Sequence, residues 1–117
     1  MINDNHGSRM LARSRPGTTG ATQVYSPPTN RRAIIYKIII ANTTALAANA
    51  SVFLDTAATT YDQTTAVMYA KSVAANTTEY ILFEDGWEID DPANIAVQTN
   101  TSSALTFTVL GRQVDAL

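Results

Sequence analysis

The chain has no cysteine. That excludes disulfides, thiolate nucleophiles and cysteine-based metal sites together. Histidine occurs once, as His6, in a polar stretch with no periodic pattern to hold it. A general base must be fixed within hydrogen-bond reach of the proton it takes, so His6 is not expected to be catalytic. No Gly-x-Ser-x-Gly elbow, phosphate-binding loop or His-Glu-x-x-His pair is present. No apolar run approaches the ~20 residues of a membrane helix. The first residues lack the basic start and apolar stretch of a secretory signal. Charge is scarce, at 15% of residues. These absences argue against an enzyme, a cofactor and a membrane partner. The 117 residues suffice for one domain that folds without staples.

What the chain has in quantity is β-branched and small residues. Ala33 to Asn42 reads Ala-Ile-Ile-Tyr-Lys-Ile-Ile-Ile-Ala-Asn, the most apolar window. Such residues favour a pleated, half-buried surface. Strict alternation puts Ile34, Tyr36, Ile38 and Ile40 on one face, expected to be the core face. Ile35, Lys37, Ile39 and Ala41 fall on the other, which Lys37 interrupts, as expected where it meets solvent or a neighbouring subunit. Arg31-Arg32 opens this strand and Asn42-Thr43-Thr44 closes it.

Further strands are predicted at Thr22 to Tyr25, Asn49 to Asp55, Thr65 to Lys71, Thr77 to Phe83, Asn94 to Thr99 and Ala104 to Gly111. The last alternates most cleanly, with Leu105, Phe107 and Val109 on one face. Asp85-Gly86 reads as a turn, after which Trp87 to Asp90 pairs back briefly. Four Asn-x-Ser/Thr triplets, at Asn42, Asn49, Asn76 and Asn100, are read as turn and strand-end chemistry, since Asn tolerates left-handed backbone and caps its own chain. Helical spacing is absent. The spacing of about 8–12 residues between turns predicts an all-β, antiparallel sandwich, jelly-roll or Ig-like, of seven or eight strands. Residues 1–22 are expected to form an extended or disordered N-terminal arm, and residues 23–117 the sandwich.

Charge is unevenly placed. Met1 to Arg32 holds Arg9, Arg13, Arg15, Arg31 and Arg32 against one acid, while the remainder holds three basic and nine acidic residues. A basic arm on an acidic body suggests contact in trans. The arginines are therefore the candidate partner-binding residues of the arm. Glu84, Asp85, Glu88, Asp90 and Asp91 are the candidate acidic docking face. That cluster lacks calcium-loop spacing and anything like a sugar subsite apart from Trp87, so neither metal nor glycoside hydrolysis is favoured over a solvated or docking face. Tyr25, Tyr61 and Trp87 lie in or beside loops and are candidate core or interface aromatics, with Trp87 and Tyr61 the sugar-stacking pair of a carbohydrate-binding module. The arginines are too dispersed, and lack a base-reading motif, for nucleic acid.

The order of these pieces resembles a known group. A polar arm and Pro27-Pro28-Thr29-Asn30 precede the Ile-rich strand ending Ala41-Asn42-Thr43-Thr44. A strand ending Leu54-Asp55 follows, then Ala74-Ala75-Asn76-Thr77-Thr78-Glu79 before Tyr80-Ile81-Leu82-Phe83. Asn94-Ile95-Ala96-Val97-Gln98 and Ala104 to Gly111 complete it. The pattern resembles small β-sandwich virion proteins of tailed bacteriophages, capsid cement (decoration) proteins among them. It departs from them before the long strand, where Thr29-Asn30-Arg31-Arg32 replaces the commoner glycine-containing turn. The resemblance implies a virion location, a homo-oligomer that is usually a trimer, and arms lying over the major capsid protein or another virion protein. A neck, tail, baseplate or fibre protein of the same virion is the alternative it leaves open.

Overall fold

A computed structural model describes residues 9–115. Eight strands follow one another: β1 (Arg9–Ser14), β2 (Thr22–Tyr25), β3 (Arg31–Asn42), β4 (Ala48–Asp55), β5 (Ala66–Val73), β6 (Thr78–Asp90), β7 (Asn94–Thr99) and β8 (Leu105–Asp115). They form two antiparallel sheets, β1-β8-β3-β6 (sheet A) and β2-β7-β4-β5 (sheet B). The pairing is nested: first with last, second with seventh, third with sixth, fourth with fifth. That is the eight-stranded jelly roll, which decides between the two sandwich topologies the sequence allowed.

The core lies between the sheets. Sheet A contributes Ala33, Ile35, Ile38, Ile40, Leu105, Phe107 and Val109, and sheet B Ala50, Val52, Ile95 and Val97, all fully buried. Burying each larger side chain stabilises by about 1.5–3 kcal/mol. The inward set on β8 is the one its alternation predicts. On β3 it is not. Ile38 and Ile40 point inward as expected, but in the first half Ala33 and Ile35 do, and Ile34 and Tyr36 face outward. The reason is a β-bulge between Ile35 and Lys37, present against both neighbours. One extra residue reverses the side-chain alternation beyond it.

The bulge is shared with the partner strands. Opposite it stands Gly111 on β8, where a Cβ would collide with the Ile34 backbone oxygen. On the other side β6 runs past Tyr36 with Phe83 to Gly86 looped out between Leu82 and Trp87. The Asp85-Gly86 turn is therefore not a hairpin: β6 continues along β3 to Asp90. Gly86 does take the positive φ such a dipeptide favours, at 82°, and a Cβ there would strike Ile34 Cγ2. The tail expected after Gly111 is likewise strand as far as Asp115.

The expected N-terminal arm is also revised. Residues 1–8, His6 among them, lie outside the described residues. From Arg9 onward the segment belongs to the body. β1 pairs with β8 along its length, and Leu11 and Ala12 pack on the core. The link to β2 is pinned by Ser103 N donating to Pro16 O at 2.8 Å and Gln98 Nε2 donating to Thr19 O at 3.0 Å. The small apolar group Met10-Leu11-Ala12 finds a sheet edge to complete, because β8 would otherwise present an unpaired backbone.

Candidate interaction surfaces

The arginines, expected to reach a partner, are largely tied to their own chain. Arg13 Nε donates to Thr108 Oγ1 at 3.1 Å. Arg15 Nη1 donates to Thr43 Oγ1 at 3.2 Å and to Thr106 Oγ1 at 3.3 Å. Arg31 pairs with Asp115 at 3.7 Å, and Arg32 with Glu88 at 3.0 Å. Arg9 stands opposite Gly111 at the start of β1. The pairs are partly exposed, so each contributes little to stability. What they settle is geometry: Arg9 and Arg13 line one edge of sheet A.

The acidic residues line the opposite edge. Glu84 and Asp85 project from the β6 bulge, Glu88 and Asp90 stand on β6, and Asp91 begins the turn to β7; all five are exposed. Among the described residues no three carboxylates converge enough to hold a metal ion. Four of the acids, Asp55 together with Glu88, Asp90 and Asp91, rim a cleft of about 330 Å³ floored by Leu54, Trp87, Ile89, Pro92 and Ala93. Trp87 is partly exposed there, its ring 5.6 Å from that of Phe83.

The other two aromatics are elsewhere. Tyr25 is a core residue whose hydroxyl accepts a hydrogen bond from Gln113 Nε2 at 2.8 Å; burial pushes its pKa up. Tyr61 sits on the outer side of sheet B. Its hydroxyl donates to Asn94 Oδ1 at 2.5 Å and accepts from Gln23 Nε2 at 3.0 Å, and its ring lies against fully buried Phe53. Trp87 lines the cleft beside β6, and Tyr61 is not among the residues lining it. Near Tyr69 a second, open groove of about 420 Å³ is lined mainly by small polar residues, Asn49, Ser51, Thr99 and Asn100 among them.

A surface the sequence marked only through Lys37 and Ile39 is the outer face of sheet A. Register aligns Met10, Leu110, Lys37 and Leu82 across all four strands, and Arg13, Thr108, Ile39 and Tyr80 in the next outward row. Met10, Tyr80 and Leu82 are 55%, 57% and 61% exposed. Lys37 lays its ammonium 4.4 Å from the centroid of the Tyr80 ring. A solvated face of an antiparallel sheet ordinarily alternates to polar residues. The signal was present in Tyr80-Ile81-Leu82-Phe83, a strand segment apolar on both faces, and in the outward isoleucines of β3.

No protein-family model matches the sequence, and no curated protein matches it. Among solved structures, that of infectious bursal disease virus, Gx strain, superposes on 96% of this chain with a TM-score of 0.45 and 12% identity. This chain spans 33% of that one. At such similarity the match carries no functional argument.

Proposed function

We propose that this chain is a non-enzymatic structural component of a virus particle, a decoration protein that binds an assembled bacteriophage head through protein–protein contact. The observation that carries the reading is the outer face of sheet A, where three large apolar side chains, Met10, Tyr80 and Leu82, stand more than half exposed in register. Exposed apolar patches of this kind mark interaction surfaces. The low charge content lowers the desolvation cost of covering them. The strand order and strand-end chemistry of the sequence agree with phage cement proteins and with the related neck and tail proteins. Labelling of native particles with an antibody to this chain tests the reading. Uniform decoration of the head is expected; label at the tail or neck assigns the chain to those parts, and no label on any particle overturns it.

A second reading rests on the Trp87 cleft. An exposed indole beside carboxylates suits a sugar ring, stacked on one face and hydrogen-bonded at its hydroxyls. Under it, a glycan quenches or shifts Trp87 fluorescence and Trp87→Ala abolishes binding. Fluorescence indifferent to a broad glycan set removes it.

A further inference from the structure

We infer that the groove beside Tyr69, on the outer face of sheet B, is a binding site for a neutral sugar chain. The site is independent of both readings above. It lies on a different face from the proposed particle contact, and its aromatic residue is not Trp87.

The groove follows from strand alternation. β4 sends Ala50 and Val52 to the core, so Asn49 and Ser51 face the other way. β7 sends Ile95 and Val97 inward, so Gln98 faces out, opposite Ser51 in register. Asn100 comes next, its Oδ1 accepting from the Asn49 backbone N at 2.8 Å. On β5, Ala70 takes left-handed backbone at φ 50° and its N–H donates to Ser51 Oγ at 2.8 Å. The β4–β5 register shifts beside it, and such irregularities re-aim neighbouring side chains. Tyr69 is left 52% exposed at the groove, with its ring edge-on to Phe53. Thr19 adds a backbone wall, its carbonyl accepting from Gln98 Nε2 at 3.0 Å.

The polar groups here are only partly used. Ser51 is 7% exposed and accepts the Ala70 bond, yet its hydroxyl proton goes to no acceptor among the described residues. A buried hydroxyl left half-satisfied calls for a partner. The Asn49 side-chain amide also has no partner among the described residues, and neither do Asn100 Nδ2 and Gln98 Oε1. Unused donors and acceptors thus stand side by side. No residue lining the groove is charged, so phosphate or a carboxylate finds no counter-charge. A peptide strand needs unpaired backbone, and β4 and β7 are here paired with each other. A sugar fits what is present. Its adjacent hydroxyls both donate and accept, as side-chain amides do, and its C–H face covers a tyrosine ring. The volume of about 420 Å³ lies within the ~300–1,000 Å³ of small-molecule sites. The groove is on the opposite side of the sandwich from Met10, Tyr80 and Leu82, so a partner on sheet A leaves it accessible.

Amide NMR of the full chain, titrated with cellohexaose, maltohexaose and N-acetylchitohexaose, tests this. At least one should shift the amides of Ser51, Ala70, Gln98 and Asn100 and leave the single indole N–H, that of Trp87, in place. Charged hexagalacturonate should bind no better. Tyr69→Ala should weaken binding on the order of 10-fold or more, while Tyr69→Phe, which keeps the ring, retains it. Asn49→Ala removes a side chain with no partner in the fold. It should leave the melting temperature unchanged and weaken binding several-fold. No shift with any of the three, tighter binding of hexagalacturonate, or groove shifts indifferent to both alanine variants overturns the inference. Shifts gathered at the Trp87 indole also overturn it and favour the Trp87 cleft. Particle labelling bears on neither result.

Discussion

Asn42 is almost wholly buried where β3 ends, and every polar atom of its amide is used. Nδ2 donates to Leu46 O at 2.9 Å and to Val73 O at 3.0 Å, and Oδ1 accepts from the Thr44 amide and hydroxyl. One side chain thus fastens the β3–β4 loop to the end of β5 in the other sheet. Asn42→Asp replaces a double donor by an acceptor facing two carbonyls. It should cost about 3 kcal/mol or more at neutral pH, read from the urea midpoint. Asp55 does similar work on the surface. Its carboxylate accepts from the amides of Thr60 at 2.7 Å, Thr59 at 2.8 Å and Ala57 at 3.3 Å. These bonds, Thr60 first, hold its pKa below the usual carboxylate value. A depressed folded pKa means stability that is present above the unfolded value, about 3.9, and lost as pH falls through the folded one. Protection of the Thr59 and Thr60 amides from exchange, relative to the unstructured rate at each pH, should therefore be unchanged from neutrality to about pH 5 and fall below about pH 4. Asp55→Asn should flatten that profile. The sequence disclosed this kind of chemistry well. Of the four Asn expected to cap their chain or take left-handed backbone, Asn42 does the first and Asn76 the second, at φ 55°; Asn30, outside that set, is left-handed too, at φ 66°.

At the scale of the strand, legibility depended on whether alternation was unbroken. β7 and the inward set of β8 follow from their own residues, because nothing interrupts the two-residue period within them, whereas β2 shifts register between Gln23 and Tyr25. β3 was inverted over its first half because its bulge is dictated by its neighbours: Gly111 leaves room for the Ile34 backbone, and Gly86 for the Ile34 and Tyr36 side chains. No residue within β3 announces this. Gly86→Ala should accordingly destabilise by more than the about 1 kcal/mol of an ordinary glycine substitution, since it adds both left-handed strain and a collision. A thermal melt against an Ala substitution at the open Gly17 position checks it. β1 was misjudged for a related reason: six residues with two arginines show no pattern until β8 offers an edge. Excising residues 9–14 should not leave an unperturbed body. Loss of Leu11 burial alone should cost about 1–2 kcal/mol, visible in the urea midpoint. The contact face was half legible. Lys37 breaking an apolar row suggested a neighbour, but Met10, Leu110 and Leu82 meet only through cross-strand register.

For the molecule as a whole, the nested pairing sets which parts can exist without the others. β8 lies between β1 and β3, and β7 lies between β2 and β4. The two strands made last are thus interior members of their sheets, and contacts of such sequence separation make folding slow. While the chain is still emerging from the ribosome, β3 can engage only β6, and its isoleucine-rich flank waits for a neighbour not yet synthesised. An unpaired edge of that composition recruits wrong strands. Translation halted before residue 105 should therefore yield insoluble material in place of a partial fold, because the edge of β3 that β8 covers then stays open.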